Sequence, residues 1–206
     1  MATTPPQAWR VEVFRAPGFD DPDGNLALEG VRELGIESVT DVRLGRGTLL
    51  SPEFTREEVE SIASELLADP VVDRATVIAL GDSPTRNIDH HILVATRPGV
   101  MDPVANTVHG VLKRTGRSPK SGELAVQTFR AFEIEGQPTQ AELEYIGRAI
   151  LANETIENLA VDSEGLSFGK PSTQGVRGSQ DVALLDADEA ELVKISERGE
   201  LSLSAL

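Results

Sequence analysis

A chain of 206 residues has room for one large or two small domains. Its composition, 39% apolar and 26% charged, is that of a globular protein, and no run of 18 apolar residues offers a membrane span. The absence of cysteine excludes disulfides, thiolate metal sites and a cysteine nucleophile within the chain, and a net charge of −15 repels phosphate backbones and argues against nucleic-acid binding.

The opening stretch MATTPPQAW has neither the basic start nor the apolar run of a signal peptide, so the cytoplasm is the expected compartment. WRVEVFR then alternates polar and apolar residues as a strand does. In RAPGFDDPDGN, Pro-Gly makes a tight turn, Asp21 is placed to accept the first free N–H groups of a helix, and Pro22 suits the first helical position. Ala27, Val31 and Leu34 form the helical stripe and Gly35 stops it. VTDVRLGRGTLL reads as a central strand. Thr55 and Glu58 form a capping box ahead of a second helix with Val59, Ile62, Leu66 and Leu67 on its apolar side, and RATVIAL closes the unit. The first unit is β-α-β-α-β over residues 9–80, followed by the polar connection GDSPTRNID.

The same order then recurs. Ile92 and Val94 match the first strand, and TRPGVMDPVAN repeats Pro-Gly-x-x-Asp-Pro 81 residues on, with Asp102 as the cap. Val104, Val108, Val111 and Leu112 give the stripe, and Gly116 lies 81 residues after Gly35. Beyond RSPKSGE, where three residues are inserted, the offset becomes 84. Thr139 and Glu142 repeat the capping box, and Leu143, Ile146, Ile150 and Leu151 repeat the stripe. GELAVQTFRAFEI and NLAV supply the remaining strands of a second unit over 90–161. The reading is an α+β tandem duplication, with helices beginning near Pro22, Arg56, Pro103 and Gln140.

Two helices cover only one face of a three-stranded sheet. The central strand of the second unit is apolar on both faces, with Val126, Phe132 and Ile134 on one and Phe129 and Ala131 on the other. The expected arrangement is therefore a pseudo-dimer of two three-stranded sheets packed face to face about a pseudo-twofold axis. Residues 162–206 read as a linker or extended arm, with a short helix at about 187–198, capped by Asp186 and Glu189 and stopped at Gly199.

No motif assembles an active site, so no residue is assigned as catalytic or as a metal ligand. GLSFGKPS has the wrong glycine spacing for a phosphate loop, and Pro171 stands where an N–H is needed. His90 and His91 are adjacent on a strand and point to opposite faces, so they cannot share one ion. His109 has no His or acidic neighbour in sequence, and capping accounts for Asp21 and Asp102. Arg43, Arg46 and Arg130 lie on or beside the central strands, where a solvated sheet edge, an anion contact or an interface ion pair each explains them.

The block VEVFRAPGFDDPDGNLALEGVRELGIESVTDVRLGR through LLADPVV resembles the PurS small subunit of phosphoribosylformylglycinamidine synthase, a dimerising β-α-β-α-β unit. The fused N-terminal region of the long synthetases is similar, and the tail DADEAELVKISERGELSLSAL resembles the stretch leading into their linker domain. The resemblance implies a non-catalytic assembly module that joins synthetase and glutaminase, or the remainder of a longer synthetase chain, and supports ammonia transfer. ATP and magnesium would then belong to the synthetase partner, and this chain would hold no cofactor. Leu192, Val193 and Ile195 are the candidate tether to those partners. A tandem regulatory module similar to ACT domains, binding a small molecule between copies, is the alternative.

Overall fold

The computed structural model describes residues 8–80, 88–117, 119 and 126–162. The first half contains β1 (Trp9–Arg15), α1 (Pro22–Glu33), β2 (Val39–Leu50), α2 (Arg56–Ile62) and β3 (Asp73–Ala79). The second contains β4 (His90–Thr96), α3 (Pro103–Arg114), β5 (Val126–Gly136), α4 (Gln140–Ile146) and β6 (Glu157–Val161). Among the described residues, all four helices start where their caps mark. Asp21 and Asp102 accept from the N–H groups of Gly24 and Ala105, and both Thr-Glu capping boxes close reciprocally. Gly18 and Gly99 take φ of 89° and 90° in the matching Pro-Gly turns, which is why glycine stands there. The sequence did not reveal that α2 and α4 each run on into a π turn, Ala63–Leu67 and Gly147–Leu151. Each turn ends with an i→i−5 bond, from Ala68 to Ala63 and from Ala152 to Gly147.

The two halves form one antiparallel six-stranded sheet in the order β3-β1-β2-β5-β4-β6. This corrects the expected pair of three-stranded sheets packed face to face: the copies join edge to edge, through β2 and β5, from Val39↔Gly136 to Leu50↔Val126. The reason lies in the backbone. Each three-stranded unit has its central-in-sequence strand at an edge, with a row of unpaired N–H and C=O groups, and pairing the two rows satisfies both.

The sheet still carries apolar residues on both faces, as β5 indicates. Val126, Phe132 and Ile134 lie under the helices. Phe129 and Ala131 lie on the opposite face with Phe14, Leu49, Leu93 and Ala95. That face also holds a buried ion pair, Arg10–Glu12 at 3.0 Å. On the helical face, each core mixes the copies. Leu28 and Val31 of α1 pack with Leu143, Ile146 and Leu151 from the second half. Val59, Ile62 and Ala63 pack with Leu112 of α3. Each half therefore lends a helix to the other's core, and neither core is complete within one copy. The tail beyond Asp162, including the expected short helix, lies outside the described residues.

Candidate functional site

Subtracting 84 from Arg130 gives Arg46, and the two face each other directly across β2 and β5. The pseudo-twofold axis therefore passes between two guanidinium-bearing residues. Like charges directly opposite in a sheet repel, and each arginine is neutralised by a carboxylate from its own copy. Arg46 Nη2 donates to Asp73 at 2.6 Å, while Arg130 Nη2 donates to both oxygens of Glu157 at 2.9 Å. Asp73 and Glu157 are again related by 84 residues. The Asp73 side chain is 3% exposed and also accepts from Arg15 at 2.9 Å. The two arginines remain open to solvent, with side chains 66% and 42% exposed.

Arg43 takes no part in this pair. It lies on the opposite face, donating across the copy junction to Glu133 at 3.1 Å and to the Arg15 carbonyl at 2.8 Å, with its guanidinium 5.6 Å from the Phe14 ring centre. The three arginines thus divide between the two faces. The strands that carry them lie at the centre of the sheet, so a solvated edge does not account for any of them.

The Pro-Gly-x-x-Asp-Pro carboxylates do more than cap. The second oxygen of Asp21 accepts from the N–H of Leu44 at 2.8 Å, and that of Asp102 from the N–H of Thr128 at 2.9 Å. Each motif therefore ties a helix N-terminus to the central strand of its own copy. The tie falls beyond Val13↔Arg46 and Ala95↔Phe129, the last pairs before β1 and β4 run into the Pro-Gly turns. Capping was legible from the sequence, but the strand bond needed the crossing of α1 over β2. Gly24 shows how close that crossing is, because a Cβ there would come within 2.5 Å of the Val42 carbonyl oxygen.

The junction is not symmetric in content. On one side of the arginine pair, Leu44 faces Phe132 and both pack into the core beneath α1 and α4. On the other side, Thr48 faces Thr128, and both line an open cleft of about 480 Å³. Leu66 and Leu67 form one wall of the cleft and Pro103, Val104 and Val108 another, with Arg46 and Arg130 at the axis.

Elsewhere the polar groups are structural. His90 Nδ1 lies 2.6 Å from Asp162 Oδ2, and the His91 backbone N–H donates to Asp162 Oδ1 at 2.8 Å. The histidine pair converges on one carboxylate, His90 by its ring and His91 by its main chain, with the His91 ring Nδ1 3.9 Å from Asp162 Oδ1. Glu65 is pulled below the ordinary carboxylate value, first by the Ser61 hydroxyl and then by Arg117, which reaches it from beyond α3 and adds an ion pair between the copies. Glu142 is lowered too, chiefly by the Thr139 backbone N–H and hydroxyl. Among the described residues no three His, Asp or Glu side chains are grouped to hold a metal ion, and no helix is long and apolar enough to cross a membrane. Leu192, Val193 and Ile195 lie outside the described residues.

The family model described as PurS, phosphoribosylformylglycinamidine (FGAM) synthase, matches the chain twice, over residues 8–80 and 89–165. No curated protein matches the chain by sequence. The two matched segments coincide with the two halves of the sheet, each complete with its three strands and two helices. The chain belongs to the PurS family of FGAM synthase in purine biosynthesis, and it carries the family's unit twice.

Proposed function

We propose that this chain is the assembly module of a glutamine-dependent FGAM synthase, joining a synthetase component to a glutaminase component and helping to keep ammonia from escaping between them. The single observation that carries this reading is the double family match over both halves of the sheet. The build of the molecule supports it. The polar residues described at the junction hold strands, helices and copies together, and the carboxylates of both repeated motifs are committed to backbone N–H groups. ATP, magnesium and the nucleotide substrate are then handled by the synthetase partner, and glutamine by the other. The reaction releases ammonia at one site and consumes it at another, so a bridging chain raises the local concentration without touching either reacting atom.

Reconstitution tests the reading. With synthetase and glutaminase components present, glutamine-dependent amidine formation should require this chain, and formation from added ammonium salt should depend on it much less. The chain alone should hydrolyse neither ATP nor glutamine. Full glutamine-dependent activity without the chain, or failure of the chain to bind either component, would end the proposal.

A further inference from the structure

The two sides of the pseudo-twofold axis hold corresponding positions with different contents. Thr48 corresponds to Phe132, and Leu44 to Thr128, each at the offset of 84. The axis therefore places Leu44 and Phe132 together on one side and Thr48 and Thr128 together on the other. On the first side Leu44 and Phe132 pack into the core with Leu28, Val31 and Leu143. Its neighbouring helix α1 has Gly30 where Ile150 comes down from the π turn, so near that a Cβ on the glycine would lie 3.2 Å from Ile150 Cδ1. On the second side the counterparts of Gly30 and Ile150 are Val111 and Leu66. There the space between α3 and the Ala63–Leu67 turn stays open as the cleft of about 480 Å³. Its size is that of a small-ligand pocket.

The chemistry of the lining is amphipathic. Leu66, Val104 and Val108 are apolar walls, with Val104 60% exposed. The carboxylates that line the cleft have hydrogen-bond donors on both oxygens. Asp102 accepts from Ala105, from the Thr128 N–H and from the Thr128 hydroxyl. Glu157 accepts from Arg130 and from the Asn153 N–H. What the cleft has to spare is donors. Arg46 and Arg130 face each other across β2 and β5 and both line the cleft. Each bonds its carboxylate through Nη2, Arg46 to Asp73 and Arg130 to Glu157, which leaves Nε–H and Nη1–H groups on each guanidinium. A planar fork of this kind matches a carboxylate or a phosphate oxygen pair.

We propose that this cleft binds a small organic anion, its carboxylate or phosphate on Arg46 and Arg130 and its apolar body between Leu66 and Val104. One ligand occupies each chain, because the corresponding position on the other side of the axis is filled by Leu44 and Phe132. The site is independent of whether the chain bridges a synthetase and a glutaminase.

Calorimetric titration of the full chain with hexanoate, adenosine 5′-monophosphate, inorganic phosphate and the uncharged hexanol tests the site. One of the two organic anions should bind saturably at one per chain, at least tenfold tighter than either inorganic phosphate or hexanol. A preference for hexanoate identifies a carboxylate ligand, and a preference for the nucleotide a phosphate ligand. Arg46→Gln should weaken that binding at least tenfold. The double variant Thr48→Phe/Thr128→Leu copies the filled side into the open one, and it should abolish binding while raising the melting temperature. The absence of saturable binding by either organic anion overturns the proposal. Binding that survives the double variant unchanged overturns it as well.

Discussion

The ring of Phe14 lies over Gly45 so closely that a Cβ built on the glycine would meet ring atoms at 2.5–2.7 Å. The corresponding pair in the second half is Ala95 and Phe129, so the large and small members have changed strands while the face stays filled. Phe129 in turn lies over Gly47, with ring atoms 2.1 Å from a Cβ placed there. Gly45→Ala should destabilise the fold by about 1–3 kcal/mol through overpacking. Combining it with Phe14→Leu, which narrows the ring position, should cost less than the two single changes added, by about 0.5 kcal/mol or more. Urea unfolding of the four proteins in the cycle measures this, and strict additivity would show that the ring does not select the glycine.

The double use of Asp21 distinguishes a cap from a brace. Asparagine caps a helix as well as aspartate does, so Asp21→Asn would be silent if capping were the whole role. Its amide group can satisfy the Gly24 N–H, but the –NH₂ end cannot also accept from Leu44. The expected loss is about 1–3 kcal/mol, the range for a donor left unsatisfied on folding. Asp102→Asn should behave alike, since it deprives the Thr128 N–H in the same way. Chemical denaturation gives the value, and an unchanged midpoint for both variants would reduce the carboxylates to caps.

Acid should loosen the second capping box in a defined direction. The Glu142 carboxylate is held below its ordinary value of 4.5 by the N–H and hydroxyl of Thr139. A group depressed on folding contributes stability that is present above its unfolded value and is lost as pH falls through the folded one. The contribution of Glu142 should therefore be complete at neutral pH and fade below pH 4.5. Glu142→Gln, which cannot titrate, should flatten that part of the stability curve. Melting temperatures of the two proteins across the acid range provide the check, and parallel curves would count against the box as a titrating element.

The tail prediction concerns partners rather than folding. Replacing Leu192 and Ile195 by Asp puts charge where an apolar contact to a partner is expected, and burying that charge is costly. Co-purification with synthetase and glutaminase components should weaken, while the melt of the chain alone should not change. Undiminished assembly by the double variant would dismiss these residues as the tether.

Cap chemistry and periodicity made the elements readable, and the spacing of Thr55, Thr139, Asp21 and Asp102 located the start of each helix among the described residues. The same pattern correctly put Phe129 and Ala131 on one face of β5 and Phe132 and Ile134 on the other. It could not decide how the copies meet. Side chains report which face is dry, whereas the β2–β5 junction is made by main-chain groups that every residue carries. The junction residues were hidden for a related reason. Arg46 was visible as a charge in a strand, but its placement opposite Arg130 depends on a pairing register with no trace in local sequence. No local motif marks Thr48 or Thr128, and only that register puts them side by side.

The arginine axis also bears on how such a chain can diverge. In a symmetric homodimer every substitution beside the axis occurs twice, once on each side, so both sides must accept it together. Joining the two copies in one polypeptide removes that constraint. Leu44 and Phe132 can become bulky while Thr48 and Thr128 remain small, because each now has its own codon. The linkage thus gives the molecule two independently adjustable halves of what was geometrically one site. The exchanged helices keep those halves bound to each other, so either side can change its contents while the other continues to hold the sheet in register.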